Sequence, residues 1–303
     1  MRVLVTGSNG FVGRWLVAHL ESEGDEVTGL DAETDVTDAT AITTAVQGAE
    51  PEAVFHLAAQ ASVGASWEDQ AGTYVVNTVG TVNVLAGAAA CSDPPKVLLV
   101  SSSEVYGRVR PEDLPIKEDH PFAPVSPYAA SKAAAEMAAV QAWLGRGVPV
   151  VRARPFNHTG PGQRTDFVVP ALARQVAEAV QSGAPALYTG NLEARRDISD
   201  VRDVVRAYRA LAIRGEPGEA YNVCSGEAVS IREVAERLLR TAGVDLPIVV
   251  DPERVRPVEL PELRGDPAKL KAATGWSPAV DLDETLADVL EYWKRPAAEA
   301  AGR

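Results

Sequence analysis

The sequence predicts an α/β fold, a doubly wound parallel sheet with a smaller C-terminal lobe. Three observations carry this expectation. Short apolar runs alternate with helical patterns through the first half of the chain. A turn with regularly spaced glycines joins the first run to the first helix. After Asn157 the alternation gives way to turn-rich, proline-rich and charged segments. Strands of a parallel sheet are buried on both faces, so they read as continuous apolar runs rather than as alternating ones.

The elements follow in order. Val3-Leu4-Val5 is the first strand, and a helix runs from about Phe11 to Glu23. Val27 to Leu30, Ala53 to Leu57 and Val97 to Val100 read as further strands. Val150 to Ala153 is another, with Pro149 tolerated at its start. The segment Thr159-Gly160-Pro161-Gly162-Gln163 has turn chemistry. No repeat of solenoid period is present.

Composition narrows the function. The chain has 303 residues, 46% of them hydrophobic, and a formal net charge of −13. That charge repels nucleic acid and anionic lipid, so neither is an expected partner. No apolar run is long enough to span a bilayer, and the N-terminus lacks the pattern of a signal peptide. Cys91 and Cys224 are the only cysteines. Two are too few for a disulfide framework or a zinc cluster, so no metal is expected and a reducing cytoplasm is. An anionic ligand would need local arginines on so acidic a protein.

The glycine turn is Thr6-Gly7-Ser8-Asn9-Gly10-Phe11-Val12-Gly13. Gly7 permits the tight turn, Gly10 lets a pyrophosphate approach the backbone, and Gly13 lets helix and strand pack closely. The helix N-terminus offers amide donors and a favourable dipole to phosphate. Asp31 ends the second strand, where a carboxylate accepts ribose hydroxyls and repels a 2′-phosphate. NAD is therefore expected ahead of NADP. Asp35 and Val36 lie along the adenine or belong only to a capped turn. These features make residues 1–157 a dinucleotide-binding domain, with 197–225 returning to it, and 158–303 mainly a substrate lobe.

Tyr128-Ala129-Ala130-Ser131-Lys132 puts a phenol and an ammonium one helical turn apart on the same face. A nearby cation favours phenolate, so Lys132 is expected to lower the tyrosine pKa and make a general acid/base beside a hydride carrier. A Tyr-x-x-x-Lys pair alone is common on surface helices. Its meaning comes from the glycine turn and from Ser101-Ser102-Ser103-Glu104, where Ser102 could hydrogen-bond a reacting oxygen or simply form a turn.

Together the glycine triplet, His56-Leu57-Ala58-Ala59-Gln60, Asn77-x-x-Gly80-Thr81, the Ser102 strand end and Tyr128-x-x-x-Lys132 resemble the extended short-chain dehydrogenase/reductase family. The likeness spans nearly the whole chain. It implies a Rossmann domain in which Asn9, Phe11, Val12, Leu57, Ala58, Ala59, Asn77 and Pro155 join the glycines at the cofactor. It further implies that Lys132 holds the nicotinamide ribose and that the small lobe takes a nucleoside-diphosphate sugar. A homodimer is implied as well, with segments near Val76–Ala90 and Tyr128–Trp143 pairing with their copies in a four-helix bundle.

Within that family, Arg154-Pro155-Phe156-Asn157-His158-Thr159-Gly160-Pro161-Gly162-Gln163 is most similar to the GDP-4-keto-6-deoxymannose reductase branch. Arg196 through Asp203, and Arg256-Pro257 leading to Gly265, resemble the same branch. The resemblance implies that Asn157, Arg196 and Arg256 hold the diphosphate, with Ser103, Glu104, Val168 and Glu259 also at the substrate. Arginine suits bidentate phosphate recognition. The expected reaction is NAD(P)H-dependent reduction of the C4 ketone of a 4-keto-6-deoxy nucleotide sugar, with Ser102, Tyr128 and Lys132 catalytic. A 4-epimerase is the alternative, followed by a 4,6-dehydratase in which Glu104 would act as acid or base. A non-catalytic dinucleotide sensor is a remote one, since it would not need Tyr128 or Lys132. His158 makes either a structural hydrogen bond or a substrate contact.

The bare carboxylate of Asp31, with no arginine directly after it, generates the first prediction. NADH should bind more tightly than NADPH. Equal or reversed affinities in a fluorescence titration would show that another group screens the 2′-phosphate.

Overall fold

The structure is a computed structural model that describes residues 1–254 and 260–295. Its first half is a succession of strand and helix. These elements are β1 (Arg2–Thr6), α1 (Phe11–Ser22), β2 (Glu26–Leu30), α2 (Ala39–Ala49) and β3 (Ala53–His56). Two short helices, α3 (Ala65–Glu68) and α4 (Gln70–Tyr74), lead through a π-helical turn at Val75–Val79 into α5 (Gly80–Ala89). Then come β4 (Lys96–Val100), α6 (Pro127–Arg146) and β5 (Val150–Pro155).

The second half is built from smaller pieces. It contains β6 (Asn157–Thr159), α7 (Val168–Ser182), β7 (Leu187–Thr189), β8 (Arg195–Arg196), β9 (Ile198–Asp200) and α8 (Val201–Arg214). It continues with β10 (Ala220–Val223), β11 (Val229–Ser230), α9 (Ile231–Ala242), β12 (Ile248–Val250), β13 (Glu262–Leu263), α10 (Ala268–Thr274) and α11 (Leu282–Lys294).

The main sheet has six strands in the order β10-β5-β4-β3-β1-β2, all parallel. Successive side chains of β1 divide between its faces. Val3 and Val5 pack with Leu16 and Leu20 of α1 and with Val204, Tyr208 and Leu211 of α8. Leu4 packs on the other face with Ile42 and Val46 of α2, Val84 of α5 and Ala139 of α6. Parallel strands covered on both sides need apolar residues at every position, which is why Val3, Leu4 and Val5 read as one run. A separate core joins Leu172 and Val176 of α7, Leu238 of α9 and Leu286 and Leu290 of α11. Tyr106, Phe156, Cys224 and Leu263 form a smaller cluster of their own.

Helix α6 owes its length to its composition. Ser126 caps it by accepting from the Ala129 amide at 3.1 Å, Pro127 occupies the first turn, and Gly147 ends it at φ 71°. Its many alanines cost little side-chain entropy and let the helix lie close to the sheet.

Three buried carboxylates spaced three residues apart tie the C-terminal segments to this frame. Asp197 accepts from the Ser225 and Gly226 amides and the Ser225 hydroxyl, at 2.6–2.9 Å. Asp200 caps α8 and accepts from Thr285 of α11 at 2.8 Å. Asp203 accepts from the amides of Ala279 and Val280 at 2.9 and 3.0 Å. A buried carboxylate satisfied by several amide donors is a strong local anchor.

Candidate active site

The carboxyl ends of the sheet strands gather the chemistry-bearing residues. Gly7 follows β1, Asp31 follows β2, Leu57 follows β3, Ser101–Ser103 follow β4 and Pro155 ends β5. This is the edge at which open α/β sheets bind ligands.

At the glycine turn, Gly7 has φ 72°, and a Cβ there would sit 2.9 Å from the Ala58 amide nitrogen. A Cβ on Gly13 would run into the Gly7 carbonyl oxygen. The N-terminus of α1 has no side-chain cap. Its first amides are thus left for a ligand, and an anion is what a helix N-terminus favours. Asp31 accepts from the Asn9 amide at 2.5 Å and from the Ala32 amide at 2.8 Å, so its carboxylate is fixed beside the turn. Asp35 caps a turn by accepting from the Thr37 amide at 2.8 Å, and Val36 is buried against Gly80. Two buried atoms near the strand ends, Gln60 Oε1 and Ser101 Oγ, have no partner among the described residues. Orphaned polar atoms of this kind mark a site completed by something else. The residues present fit a dinucleotide.

A chain of polar groups with a defined direction supports the loop after β3. Thr6 Oγ1 accepts from the Ala58 amide at 3.2 Å and lies 2.8 Å from His56 Nδ1. His56 Nε2 lies 3.0 Å from Thr81 Oγ1, which donates to the Asn77 carbonyl at 2.7 Å. With the Thr81 proton committed, Nε2 must carry the imidazole proton and Nδ1 must accept. Burial first, and then Lys132, lower the His56 pKa to about 3, which keeps this neutral tautomer in place. Asn77 is buried in the π-helical turn. It accepts from the Gln60 amide at 2.8 Å and donates to the Gln60 carbonyl at 3.1 Å and to Ser131 Oγ at 2.9 Å. It thereby joins the loop after β3 to α6.

Tyr128 and Lys132 are both buried on α6. Ser102, immediately after β4, hydrogen-bonds the Tyr128 phenol. The Lys132 ammonium donates to the Val100 carbonyl at 2.9 Å. Burial, with a smaller contribution from Glu104, raises the phenol to about 12, against the hydrogen bond from Ser102. The expectation that Lys132 lowers the tyrosine pKa omits this desolvation. The Lys132 ammonium is turned to the Val100 carbonyl, and burial decides. The same burial brings Lys132 down to about 8, opposed by Glu136.

The expected substrate residues lie on several elements. Ser103 is buried in a 3-10 turn at Ser103–Tyr106, which also carries the half-buried Glu104. Asn157 starts β6 and is exposed, and Val168 opens α7. Arg196 is buried, and its guanidinium donates to the carbonyls of Arg195 and Leu260, both at 2.8 Å. Arg256 and Glu259 lie outside the described residues. His158 Nδ1 donates to the Phe156 carbonyl at 3.0 Å, and its ring stacks on Phe11 of the glycine turn. Among the described residues no group of three or more His, Cys, Asp or Glu side chains is arranged to hold a metal.

Two features escape the sequence reading. Arg14 donates to the Asn9 carbonyl at 2.7 Å, and Trp15 Nε1 donates to the Pro161 carbonyl at 3.2 Å. Arg14 also reaches the Gly162 carbonyl at 3.5 Å, so the two side chains stitch α1 to the Thr159–Gln163 loop, and no local pattern signals it. Glu136 grips Arg154 with bonds of 2.8 Å from both Nε and Nη2. A signal for this one exists, because Glu136 is the single acidic residue in the alanine-rich α6.

A glycine turn open to pyrophosphate, with a serine at the end of β4 facing a tyrosine and lysine on α6, defines a short-chain dehydrogenase/reductase of the extended type. Residues 32–289 match the GDP-mannose 4,6 dehydratase family, and the chain belongs to this extended family of nucleotide-sugar enzymes. It is 39% identical to the GDP-6-deoxy-D-mannose reductase of Pseudomonas aeruginosa, over 98% of this chain and 99% of that protein. The structure of RMD from Pseudomonas aeruginosa complexed with NADPH superposes with a TM-score of 0.90 at 38% identity, covering 97% of this chain and 99% of that one. A UDP-glucose 4-epimerase of Thermus thermophilus, solved in complex with NAD, superposes at 0.88 and 32% identity over 98% and 100%.

The neutral, buried imidazole of His56 generates a prediction for stability. Unfolded histidine binds a proton below about pH 6.5, while the folded state refuses it down to about 3. Stability therefore falls as the pH drops through this window, by about 1–2 kcal/mol between pH 6.5 and 5. Chemical denaturation of His56→Gln should show that much less acid sensitivity than wild type. An unchanged pH dependence would show that His56 takes up a proton in the folded protein.

Proposed function

We propose that the protein reduces the C4 ketone of a 4-keto-6-deoxy nucleotide sugar, GDP-linked, with NAD(P)H as the reductant. The observation that carries this is the full-length similarity to the Pseudomonas aeruginosa reductase, combined with an intact Ser102, Tyr128 and Lys132 set. A reduced nicotinamide held here would supply the hydride for C4. Tyr128 gives its proton to O4, and a phenol held near 12 stays protonated at neutral pH, as a proton donor must. Ser102 orients the phenol and the sugar oxygen. Lys132 holds the nicotinamide ribose with its ammonium. Gly7, Gly10 and the first amides of α1 seat the pyrophosphate, and Asp31 takes the adenosine ribose. Asn157, Arg196 and Arg256 are assigned to the sugar-nucleotide diphosphate. Glu104, beside the phenol, keeps dehydration of GDP-mannose as the second reading, because removal of water across C5 and C6 needs an added acid or base.

An absorbance assay tests the reaction. With a GDP-4-keto-6-deoxy sugar, one NADH or NADPH should be consumed per product, and Tyr128→Phe should abolish turnover while leaving cofactor binding nearly intact. UDP-glucose without added cofactor should stay unchanged at C4. Epimerisation of that second mixture together with an inert first one would replace the reductase by an epimerase. Release of water from GDP-mannose in the presence of oxidised cofactor would favour the dehydratase.

We also propose a homodimer through α5 and α6. Val75, Val79, Val82, Met137 and Leu144 are large apolar side chains left exposed along these helices and the turn before them. An apolar stripe on adjacent helices is what a self-complementary helical interface requires. Sedimentation at micromolar concentration should give a dimer, and a monomer alone would contradict the assignment.

A further inference from the structure

We propose that Glu136 is a positioning residue for the catalytic pair: its buried carboxylate lies one helical turn from Lys132 on the same face and pins α6 to β5 through Arg154. The inference rests on the assignment of Tyr128 and Lys132 to cofactor and proton transfer. Glu136 follows Lys132 by four residues, so both side chains lie on one helix face. Its side chain is completely buried. Arg154 of β5 meets it as a fork, Nε to one carboxylate oxygen and Nη2 to the other, each at 2.8 Å. Arg152 adds a contact at 3.3 Å from the same strand. The remaining Arg154 nitrogen donates to the Tyr106 hydroxyl at 2.9 Å and to the Glu118 carbonyl at 2.8 Å.

A buried ammonium is costly, and few compensations are available to Lys132. From α6 itself it has Glu136. From β3 it faces His56, which is neutral. The Val100 carbonyl accepts its proton. Glu104 on the turn after β4 and Tyr208 on α8 act on or with the Tyr128 phenol. Glu136, one turn along α6, acts on Lys132 to hold its proton, against burial that brings it down to about 8. Loss of that charge should lower the lysine by about one pH unit, the scale of an opposite charge at this range in a partly desolvated site.

Four proteins separate this role from a merely structural one: wild type, Glu136→Gln, Arg154→Met, and the double variant. Each is titrated with the tighter-binding of NADH and NADPH by fluorescence, from pH 6 to 9.5. In wild type the cofactor should weaken as pH rises through about 8, because the ammonium on the ribose is lost. In Glu136→Gln that limb should move down by about one pH unit. Arg154→Met breaks the same clamp but keeps the carboxylate, so its limb should stay or move up. The double variant removes both charges and so leaves neither buried alone, which guards against a failure of Glu136→Gln to fold. Its limb should move down as well. A limb common to all four, or one moved alike by Glu136→Gln and Arg154→Met, overturns the proposal. A wild type that binds neither dinucleotide overturns the site assignment and this proposal with it. Failure of the sugar assay alone leaves the titration decisive.

Discussion

The guanidinium of Arg154 lies between the Glu136 carboxylate, the Tyr106 hydroxyl and the Glu118 carbonyl. Through those bonds α6, β5 and the turn after β4 act as one unit. Tyr106 passes the constraint on by donating to Asn222 of β10 at 2.7 Å, and Asn222 donates to the Ile116 carbonyl at 2.8 Å. The strands that carry Ser102 and Pro155 are thereby held in register with the helix that carries Tyr128 and Lys132. A charge pair this deeply buried is weak evidence for net stability, because desolvation offsets most of the attraction. Its value here is geometric. A bidentate fork fixes both direction and distance, and an apolar pair would fix neither.

The placement of the second lobe depends on a different device. Asp197, Asp200 and Asp203 recur every third residue, but they do not act on one helix face. The first lies before α8, the second caps it, and the third sits in its first turn. Each carboxylate reaches a different partner segment: Ser225–Gly226 after β10, Thr285 in α11, and Ala279–Val280 before it. Burial raises the Asp197 carboxyl while four donors hold it down, so its ionised form depends on that donor set remaining complete. Arg196 adjoins this anchor and bonds the Leu260 carbonyl.

The family, the glycine turn and the parallel sheet were legible because each leaves a local signature. Glycine spacing reports a backbone conformation that side chains forbid, and apolar runs report strands covered on both faces. Tyr-x-x-x-Lys reports two groups on one helix face. Each is set by residues a few positions apart, so the chain itself carries the information. The same locality explains the one misjudged effect. A lysine four residues from a tyrosine argues for a lowered phenol pKa, but desolvation depends on what surrounds the pair, and that is distant sequence.

By itself the sequence determined the periodicities, the turn chemistry and the types of group available at each strand end. Only the tertiary structure decided which of them meet. It joined Glu136 to Arg154 across 18 residues, Thr6 to His56 across 50 and Asp203 to Val280 across 77. It also set the proton on His56 Nε2 and turned Lys132 to a carbonyl. The physical reason is that hydrogen bonding and desolvation depend on the full three-dimensional surroundings of a group, whereas spacing along the chain specifies only its near neighbours.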